Sequence, residues 1–473
     1  MFQPEALCNA QNHNPSKRMK LSLIAPKRLF VPFTVILFSF ITLSCATEDN
    51  TSSSSSIFEG LASSGIDILL DSGNPVVTGF GYGDVSTDSG SSEANVFLSR
   101  HDNAAGTTLS FALEGSTDED FAQAIVQLGA NYYVVGHTYG DLSSDAAFGG
   151  TDIFLMQFDS AGVKQWTRQY GTTENDFCWD ITTDATNLYL IGNTEGVFPG
   201  VSGKTNDQGN DIILLKLDSS GNRLGVVQIG EDTAIDSNTY SQTVGVAIEF
   251  DGMDLIIGGI TNDSIGGSKI GGNDVILAKY TTGLSQTWIK QIGTAYDESI
   301  TDIVLDGTEI YFTGFSYGTP EATYDYSAAG YSEDHTYTEV FLYRYDSTGD
   351  QIWVRQNGTA TYDRGYALTL DGSGNILVAG NTNGDLSGSN EGSYDFFVLS
   401  YTTGGTQNWI FQYGSDEYDT VHGIAYDTGG NKLFVTGKTY GELNSQSNSA
   451  SSFSAFITQY DTTPDTHDWT VVF

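Results

Sequence analysis

The sequence predicts an all-β protein built from one repeating unit. Gly accounts for 55 of the 473 residues, Tyr and Phe for 26 each, and Pro for only 8, a balance that disfavours a mostly helical chain. Short segments rich in β-branched and aromatic residues alternate with turns of Gly, Asn, Asp and Ser along most of the chain. Two of these segments recur at regular spacing, so the fold is predicted from the repeat rather than from length.

The first recurring segment joins a strand that starts with an acidic or equivalent residue to a second strand through a tight turn. Examples are "TDIFLMQFDSAGVKQWTRQYG" and "YDFFVLSYTTGGTQNWIFQYG". Its copies are marked by Asn95, Asp152, Asp211, Asp274, Glu339, Asp395 and Ser454. The second recurring segment resembles "NILVAGNTNGD", and its copies are marked by Gly79, Gly136, Gly192, Gly259, Gly314, Gly380 and Gly437. Both landmarks occur seven times.

Each unit therefore contains four strand patterns, exemplified by "GYALTLD", "NILVAG", "DFFVLSY" and "QNWIFQYG". Four antiparallel strands repeated seven times predict a single seven-bladed β-propeller over residues 57–473. The first strand of each unit is expected to be innermost. These strands are expected to begin near Ala62, Ala122, Cys178, Val244, Thr301, Tyr366 and Val421.

The repeat resembles the SBBP family of bacterial propeller repeats, whose units combine an Asp-x-Phe-x-x-x-Tyr/Leu-Asp strand, a Gly-Asn turn and a Trp-containing strand. The resemblance covers about residues 60–473 and implies the propeller fold. Most Trp residues share one repeat position, which we interpret as packing between blades rather than a sugar platform. They are Trp166, Trp288, Trp353, Trp409 and Trp469, while Ser110 and Gly225 occupy that position in the first and third units.

The N-terminal region predicts export and a lipid anchor. Basic residues precede the apolar run from Leu29 to Leu43, so residues 1–44 are predicted to be a signal peptide, with Met19 as the alternative start. An uncleaved membrane anchor is the other interpretation, although the run is short for one. "TLSC" resembles the lipobox of bacterial lipoproteins, which implies acylation (palmitate) of Cys45. Residues 45–56 would form a tether, and the expected location is the outer membrane or cell surface.

The charge of the chain excludes one class of partner. The chain has 19 Lys and Arg against 59 Asp and Glu, a net charge of −40, and cleavage before Cys45 would leave 14 basic and 58 acidic residues. A nucleic acid would be repelled at long range. The membrane is therefore expected to be contacted only through lipid, and Cys178 would be the single remaining thiol of the folded region.

An acidic residue recurs after the fourth strand of several units. Asp120, Asp176, Asp363 and Asp419 lie five residues after a Gly, and Asp297 lies four after. These carboxylates could form a ring at the channel mouth that binds a cation such as Ca²⁺. Alternatively, each Asp accepts backbone N–H groups of its own turn. No other cofactor is expected.

The largest insertion departs from the repeat at residues 320–339. It contains four aromatic residues suited to a contact surface, which are Tyr324, Tyr326, Tyr331 and Tyr337. A neutral elaboration of the surface is the alternative. His137 and His422 belong to no readable nucleophile motif, so no catalytic residue is assigned.

These observations favour a non-catalytic propeller that binds a protein or polysaccharide partner. The alternative is a carbohydrate-active enzyme, of glycoside hydrolase or lyase type, in which carboxylates at the channel mouth act as an acid/base pair.

Overall fold

The computed structural model describes residues 62–82, 93–142, 148–204, 209–231, 241–321, 337–446, 452–461 and 466–473. These residues form 28 strands in seven sheets. Blades 1 to 4 comprise β1 Ser63–Asp71, β2 Asn74–Tyr82, β3 Ala94–His101, β4 Thr108–Glu114; β5 Asp120–Leu128, β6 Asn131–Thr138, β7 Asp152–Phe158, β8 Lys164–Tyr170; β9 Asp176–Thr183, β10 Asn187–Thr194, β11 Asp211–Asp218, β12 Arg223–Ile229; β13 Thr243–Phe250, β14 Asp254–Thr261, β15 Asp274–Thr281, β16 Gln286–Ile292. Blades 5 to 7 comprise β17 Glu298–Asp306, β18 Glu309–Ser316, β19 Glu339–Tyr345, β20 Gln351–Asn357; β21 Asp363–Leu370, β22 Asn375–Thr382, β23 Asp395–Thr402, β24 Gln407–Tyr413; β25 Asp419–Asp427, β26 Lys432–Thr439, β27 Ser454–Asp461, β28 His467–Val472.

Each blade is a meander of four consecutive antiparallel strands. The first strands of neighbouring blades contact each other all around the ring, which places β1, β5, β9, β13, β17, β21 and β25 innermost. The prediction of seven four-stranded blades is confirmed, and all seven innermost strands contain or directly follow the residues expected to start them. None of the described residues belongs to a helix that could span a membrane.

The first and last blades close the ring through direct contacts. The Ser63 backbone N–H donates to the carbonyl of Phe453 at 3.2 Å, and the Ser63 hydroxyl donates to the carbonyl of Phe473 at 2.6 Å. The Phe473 ring packs against Phe97 of blade 1, with ring centroids 5.5 Å apart. Closure of this kind leaves no innermost strand edge open to another chain.

The repeated Trp residues pack between blades, as the sequence predicts. Four of the five stack on the glycine of the β3–β4-type turn of the next blade, where an added Cβ would fall 2.5–3.2 Å from the indole. The pairs are Trp166 with Gly221, Trp288 with Gly349, Trp353 with Gly405, and Trp469 with Gly106. The indole N–H also donates to a carbonyl of that next blade, at 3.2 Å for Trp288, 3.1 Å for Trp353 and 3.0 Å for Trp469.

At the junction between blades 3 and 4, the large and the small residue have exchanged positions. Gly225 occupies the Trp position of blade 3, and Leu284 occupies the turn-glycine position of blade 4 with a φ of 65°. A Cβ on Gly225 would lie 2.9 Å from Cδ1 of Leu284. The Leu284 side chain therefore fills the space that an indole fills at the four junctions described above.

Candidate functional site at the channel mouth

Two sets of loops lie on one face of the propeller, at the end where the innermost strands begin. Loops that precede the innermost strands bond to loops that connect the second and third strands. Asp176 N–H donates to the Thr151 carbonyl at 2.7 Å, and Gly150 N–H donates to the Glu174 carbonyl at 3.3 Å. Tyr394 and Tyr418 form a comparable bridge between blades 6 and 7. We call this side the mouth face.

The recurring Asp residues of the mouth face are buried. Asp120, Asp176, Asp363 and Asp419 are all 0% exposed. One carboxylate oxygen of each accepts the backbone N–H of the residue four positions earlier at 2.6 Å. Burial raises the pKa of Asp120, Asp176 and Asp363 to about 6, and it raises the pKa of Asp419. These are the contacts expected of turn-forming carboxylates.

Asp297 does not occupy the same place as the other four. It is exposed, and its carboxylate accepts the backbone N–H of Asn273 at 2.7 Å. Glu298 instead starts β17, is 3% exposed and accepts the Thr294 N–H at 2.8 Å. Burial raises the pKa of Glu298 to about 7. The longer Glu298 side chain thus takes the place that Asp has in the other four turns. A search of the sequence for Asp alone does not find it.

Only one of the four tyrosines of the large insertion is described. Tyr337 packs edge-on against Tyr362 of the mouth face, with ring centroids 5.1 Å apart. Tyr324, Tyr326 and Tyr331 lie outside the described residues, as does Cys45.

A second set of acids, which the sequence analysis did not identify, lines the channel below the mouth. Asp67, Asp180 and Asp302 occupy one position of the innermost strands of blades 1, 3 and 5. Each carboxylate accepts the backbone N–H of the residue that follows it in the chain. Each also accepts a backbone N–H of the next blade: Asp67 from Ile125 at 2.9 Å, Asp180 from Ile248 at 2.7 Å, and Asp302 from Leu368 at 2.6 Å. Burial raises the pKa of Asp67 to about 6 and those of Asp180 and Asp302 well above their usual range. These carboxylates join pairs of blades.

Every innermost strand contains a β-bulge at its fourth position, and the bulged side chains line the channel. The register of each innermost strand skips one residue against its neighbour. A bulge redirects a side chain out of the regular ladder. The bulged residues are Ile66, Gln123, Trp179, Val246, Thr301, Tyr366 and His422.

Blade 6 presents a base at this opening. The guanidinium of Arg364 lies over the ring of Phe315, with Cζ 4.7 Å from the centroid, and its Nε donates to the Thr338 hydroxyl at 3.2 Å. Arg344 and Arg355, on outer strands, form ion pairs with Glu309 and Glu321. Within the described ranges, no carboxylate forms an ion pair with Arg364.

Blade 7 adds a buried base and a histidine ring that contacts Tyr366. Lys438 is 2% exposed, with Nζ 4.9 Å from the ring centroid of Phe453, and burial lowers its pKa to about 8. His422 packs edge-on against Tyr366 at 5.9 Å. Burial lowers the pKa of His422 to about 3, so its ring is neutral at physiological pH.

Blade 3 carries the aromatic side of the opening, nearly opposite blade 6 in the ring. Phe177 and Trp179 are close to parallel, with 14° between their planes and 6.1 Å between centroids. The indole N–H of Trp179 donates to Asn193 Oδ1 at 2.7 Å, which fixes the ring. His137 packs edge-on against both rings from blade 2.

The described ranges contain no group of three or more His, Cys, Asp or Glu side chains able to hold a metal ion. The Ca²⁺ site stays a prediction.

The thiol of Cys178 is fully buried, with 0% of the residue exposed, and burial raises its pKa.

One family model matches the repeat, and one curated protein matches part of the chain. The family model described as a beta-propeller repeat, SBBP, matches residues 352–387 and confirms the resemblance over that stretch. Regulatory protein FlaEY of Caulobacter vibrioides is 28% identical over 119 residues, which span 24% of this chain and 12% of that protein. The chain therefore matches only a small part of the length of this curated relative.

Solved structures match the chain at low sequence identity and with TM-scores below 0.5. The periplasmic gluconolactonase PpgL of Pseudomonas aeruginosa is 12% identical with a TM-score of 0.46, and the match covers 83% of this chain and 94% of that one. Sqt1 of Chaetomium thermophilum is 11% identical with a TM-score of 0.40, covering 85% and 83% of the two chains.

Proposed function

We propose that this propeller is a non-catalytic binding scaffold, exported and lipid-anchored, that holds a partner on its mouth face. The single observation that carries the proposal is the make-up of the opening. A chain with three acidic residues for every basic one places Arg364 and the Phe177 and Trp179 rings at the mouth. Arginine and tyrosine are the residues that most often dominate binding energy at interfaces.

The alternative function as a carbohydrate-active enzyme receives less support from the same geometry. An acid/base pair must reach the scissile bond from both sides. The recurring carboxylates Asp120, Asp176, Asp363 and Asp419 are fully buried and bonded to their own turns. The channel acids Asp67, Asp180 and Asp302 are bonded to backbone N–H groups of two blades. The four recurring carboxylates therefore have no exposed oxygen to offer a substrate, and each of the three channel acids joins two blades.

A pull-down from cell-envelope extract with the purified chain tests the binding role. We expect a partner to be retained by the wild-type chain and lost when Trp179→Ala and Arg364→Gln are combined. The exposed substitution Leu224→Ala, on an outermost strand, is the matched control and should retain the partner. Retention by the double variant would place binding elsewhere and contradict the proposal.

The lipid anchor has a separate test. Changing Cys45→Ala should abolish acylation and shift the chain from the membrane to the soluble fraction, because the remaining contact with the membrane would be a charged propeller without an acyl chain. Metabolic labelling with a palmitate analogue and fractionation after detergent-free lysis measure both effects. Unchanged fractionation would contradict the anchor.

A further inference from the structure

We propose that two seams of the propeller, where neighbouring blades meet, each bind a calcium ion between a pair of buried aspartates. The seam between blades 2 and 3 pairs Asp152, the first residue of β7, with Asp176, the first residue of β9. The seam between blades 6 and 7 pairs Asp395 with Asp419 in the same way. Both sites lie in joints between blades and do not depend on the partner proposed for the mouth face.

The two carboxylates of the first seam meet beside one glycine. A Cβ built on Gly171 would lie 2.2 Å from Oδ1 of Asp152 and 3.1 Å from Oδ2 of Asp176. The backbone also joins the two strands here, since the Asp176 N–H donates to the carbonyl of Thr151 at 2.7 Å. Two carboxylates that lie this close to one point can contact the same ion.

One oxygen of each carboxylate is bonded and the other is not. Oδ2 of Asp152 accepts the N–H of Phe148 at 2.9 Å and the amide of Gln169 at 3.0 Å. Oδ2 of Asp176 accepts the N–H and the hydroxyl of Thr172 at 2.6 and 2.9 Å. Within the described ranges, Oδ1 of each aspartate has no hydrogen-bond partner, although Asp152 is 1% exposed and Asp176 is 0% exposed. Such buried oxygens are costly, and one cation between them would satisfy both.

A threonine on the neighbouring strand comes near Asp176 without satisfying that oxygen. Thr194 lies opposite Asp176 in the β9–β10 ladder. Its hydroxyl donates to the Gly196 carbonyl at 3.3 Å and accepts the Gly196 N–H at 3.1 Å. Burial raises the pKa of Asp176 to about 6, and the charge of Asp152 adds to the rise against the opposing effect of Thr194. At neutral pH the pair is therefore two negative charges that need a counter-ion.

The seam between blades 6 and 7 repeats this arrangement. A Cβ on Gly414 would lie 2.2 Å from Oδ1 of Asp395 and 3.2 Å from Oδ2 of Asp419. Oδ2 of Asp395 accepts the Gln412 amide at 2.9 Å. Oδ2 of Asp419 accepts the N–H and the hydroxyl of Ser415, both at 2.6 Å. Both aspartates are buried, and Oδ1 of each again lacks a hydrogen-bond partner among the described residues.

A third seam shows what the chain places at this position when the second acid is missing. Between blades 3 and 4, Asp211 begins β11, but Thr243 occupies the ladder position that an aspartate has in the other two seams. There the ammonium of Lys204 lies 3.2 Å from Oδ2 of Asp211 and donates to the carbonyl of Gly230, the counterpart of Gly171. One acid is thus balanced by one internal positive charge, which indicates that this position accepts a cation.

Charge and ligand type select the ion. Two carboxylates are balanced by a divalent cation, and no described lysine or arginine forms an ion pair with any of the four aspartates. Because the described residues contain no group of three or more acidic or other metal-binding side chains, backbone carbonyls such as that of Gly171 would complete each site. Calcium accepts carboxylate and carbonyl oxygens in flexible geometry, whereas magnesium keeps several waters. A buried seam therefore favours calcium.

Calcium should stabilise the full chain after treatment with a chelator. We expect millimolar calcium chloride to raise the melting temperature by about 2–5 °C, because an ion that binds only the folded state stabilises it. Magnesium chloride, and sodium chloride of matched ionic strength, should have smaller effects. The rise with calcium should be larger at about pH 8 than at about pH 5, since protons compete for the same carboxylates. Isothermal titration should detect two calcium ions per chain, one for each seam.

Variants assign the two ions to their seams. Asp152→Asn and Asp395→Asn should each remove one ion, and the double variant should lose the rise in melting temperature that is specific to calcium. Asp416→Asn is the matched control, because it removes an equal charge from an exposed position three residues before Asp419. It should keep both ions. Thermal unfolding and circular dichroism without calcium verify that each variant is folded.

The seam between blades 3 and 4 allows a gain of binding. Thr243→Asp combined with Lys204→Met supplies a second carboxylate and removes the internal ammonium, so this variant should bind one calcium ion more than wild type. Equal shifts with all three salts, or calcium binding that persists when Asp152 and Asp395 are both changed to Asn, would overturn the proposal. A wild-type chain that binds no calcium would also overturn it and would leave a shared proton as the means by which each pair is neutralised.

Discussion

Trp353→Ala is expected to lower the free energy of unfolding by about 3 kcal/mol. The indole stacks on Gly405 of the next blade, donates to the Thr403 carbonyl at 3.1 Å, and lies 5.3 Å below the guanidinium carbon of Arg355. Truncation removes all three contacts and leaves a cavity on a seam that cannot close without moving a blade. Urea denaturation followed by Trp fluorescence and circular dichroism measures the loss.

The neighbouring residue supplies the control. Ile352 is 50% exposed, so Ile352→Ala should change the same free energy by less than about 0.5 kcal/mol. Equal losses for the two variants would show that the indole has no special part in the seam.

The junction between blades 3 and 4, where Gly225 and Leu284 replace the Trp and the turn Gly, gives a second prediction about packing between blades. Gly225→Trp alone should destabilise the chain by about 1–3 kcal/mol, because the new side chain meets Leu284. Adding Leu284→Gly should recover much of that loss, since the leucine side chain and its positive φ are removed together. If the two substitutions lowered the free energy of unfolding additively in the double variant, the interpretation that Leu284 fills the space of the missing indole would be contradicted.

The propeller is expected to be more stable in mild acid than at alkaline pH. Burial raises the folded-state pKa of Asp67, Asp120, Asp176 and Asp363 to about 6. Each such carboxyl contributes stability that is fully present below its unfolded pKa of 3.8 and is lost as the pH rises through about 6. For one buried Asp, an increase from 3.8 to about 6 corresponds to about 3 kcal/mol as an order of magnitude. The loss falls between about pH 4 and 7.

Buried histidines act in the opposite direction within the same window. Burial lowers the pKa of His101 and His137 to about 4 and that of His422 to about 3. Their contribution is present at neutral pH and is lost as the pH falls below 6.5. The raised carboxyls outnumber these three histidines, and the falling negative charge of the chain in acid adds to their effect. The net expectation is a higher melting temperature at about pH 5 than at about pH 8.

Glu298→Gln isolates one of these carboxyls. The amide can keep the bonds to Thr294 and Ser316, because both hydroxyls can turn to accept as well as donate. We expect the variant to melt higher than wild type at about pH 8 and to show a smaller change with pH. Asp297→Asn removes the same charge from an exposed position of that loop and is the control. A melting temperature that rises steadily from pH 5 to pH 8 would contradict the account.

The repeat made the fold predictable, whereas the site depends on departures from it. Seven copies of one strand pattern predict the blades, and the repeated Trp position predicts the seams, because both follow from similarity along the chain. The five acidic positions were located from the same similarity, yet the sequence could not distinguish a carboxylate facing the channel from one facing its own turn. The burial of each carboxylate distinguishes these two cases, and that burial depends on how the side chain packs against the next blade.

The residues of the mouth could not be found in this way. Arg364, Trp179 and Tyr366 each occur once at positions where other blades carry different residues. The closed ring places blades 3 and 6 around one axis, and β-bulges displace Trp179 and Tyr366 from the regular ladder. Asp67 and its counterparts were missed for a related reason, as the N–H groups that they accept lie 58 to 68 residues away.

The central claim is that the mouth face binds a partner through Arg364 and the blade 3 rings. The pull-down from cell-envelope extract tests it most directly, when the wild-type chain is compared with the chain that carries both Trp179→Ala and Arg364→Gln. We expect the wild-type chain to retain a partner and the double variant to lose it. A partner that the double variant retains would contradict the account.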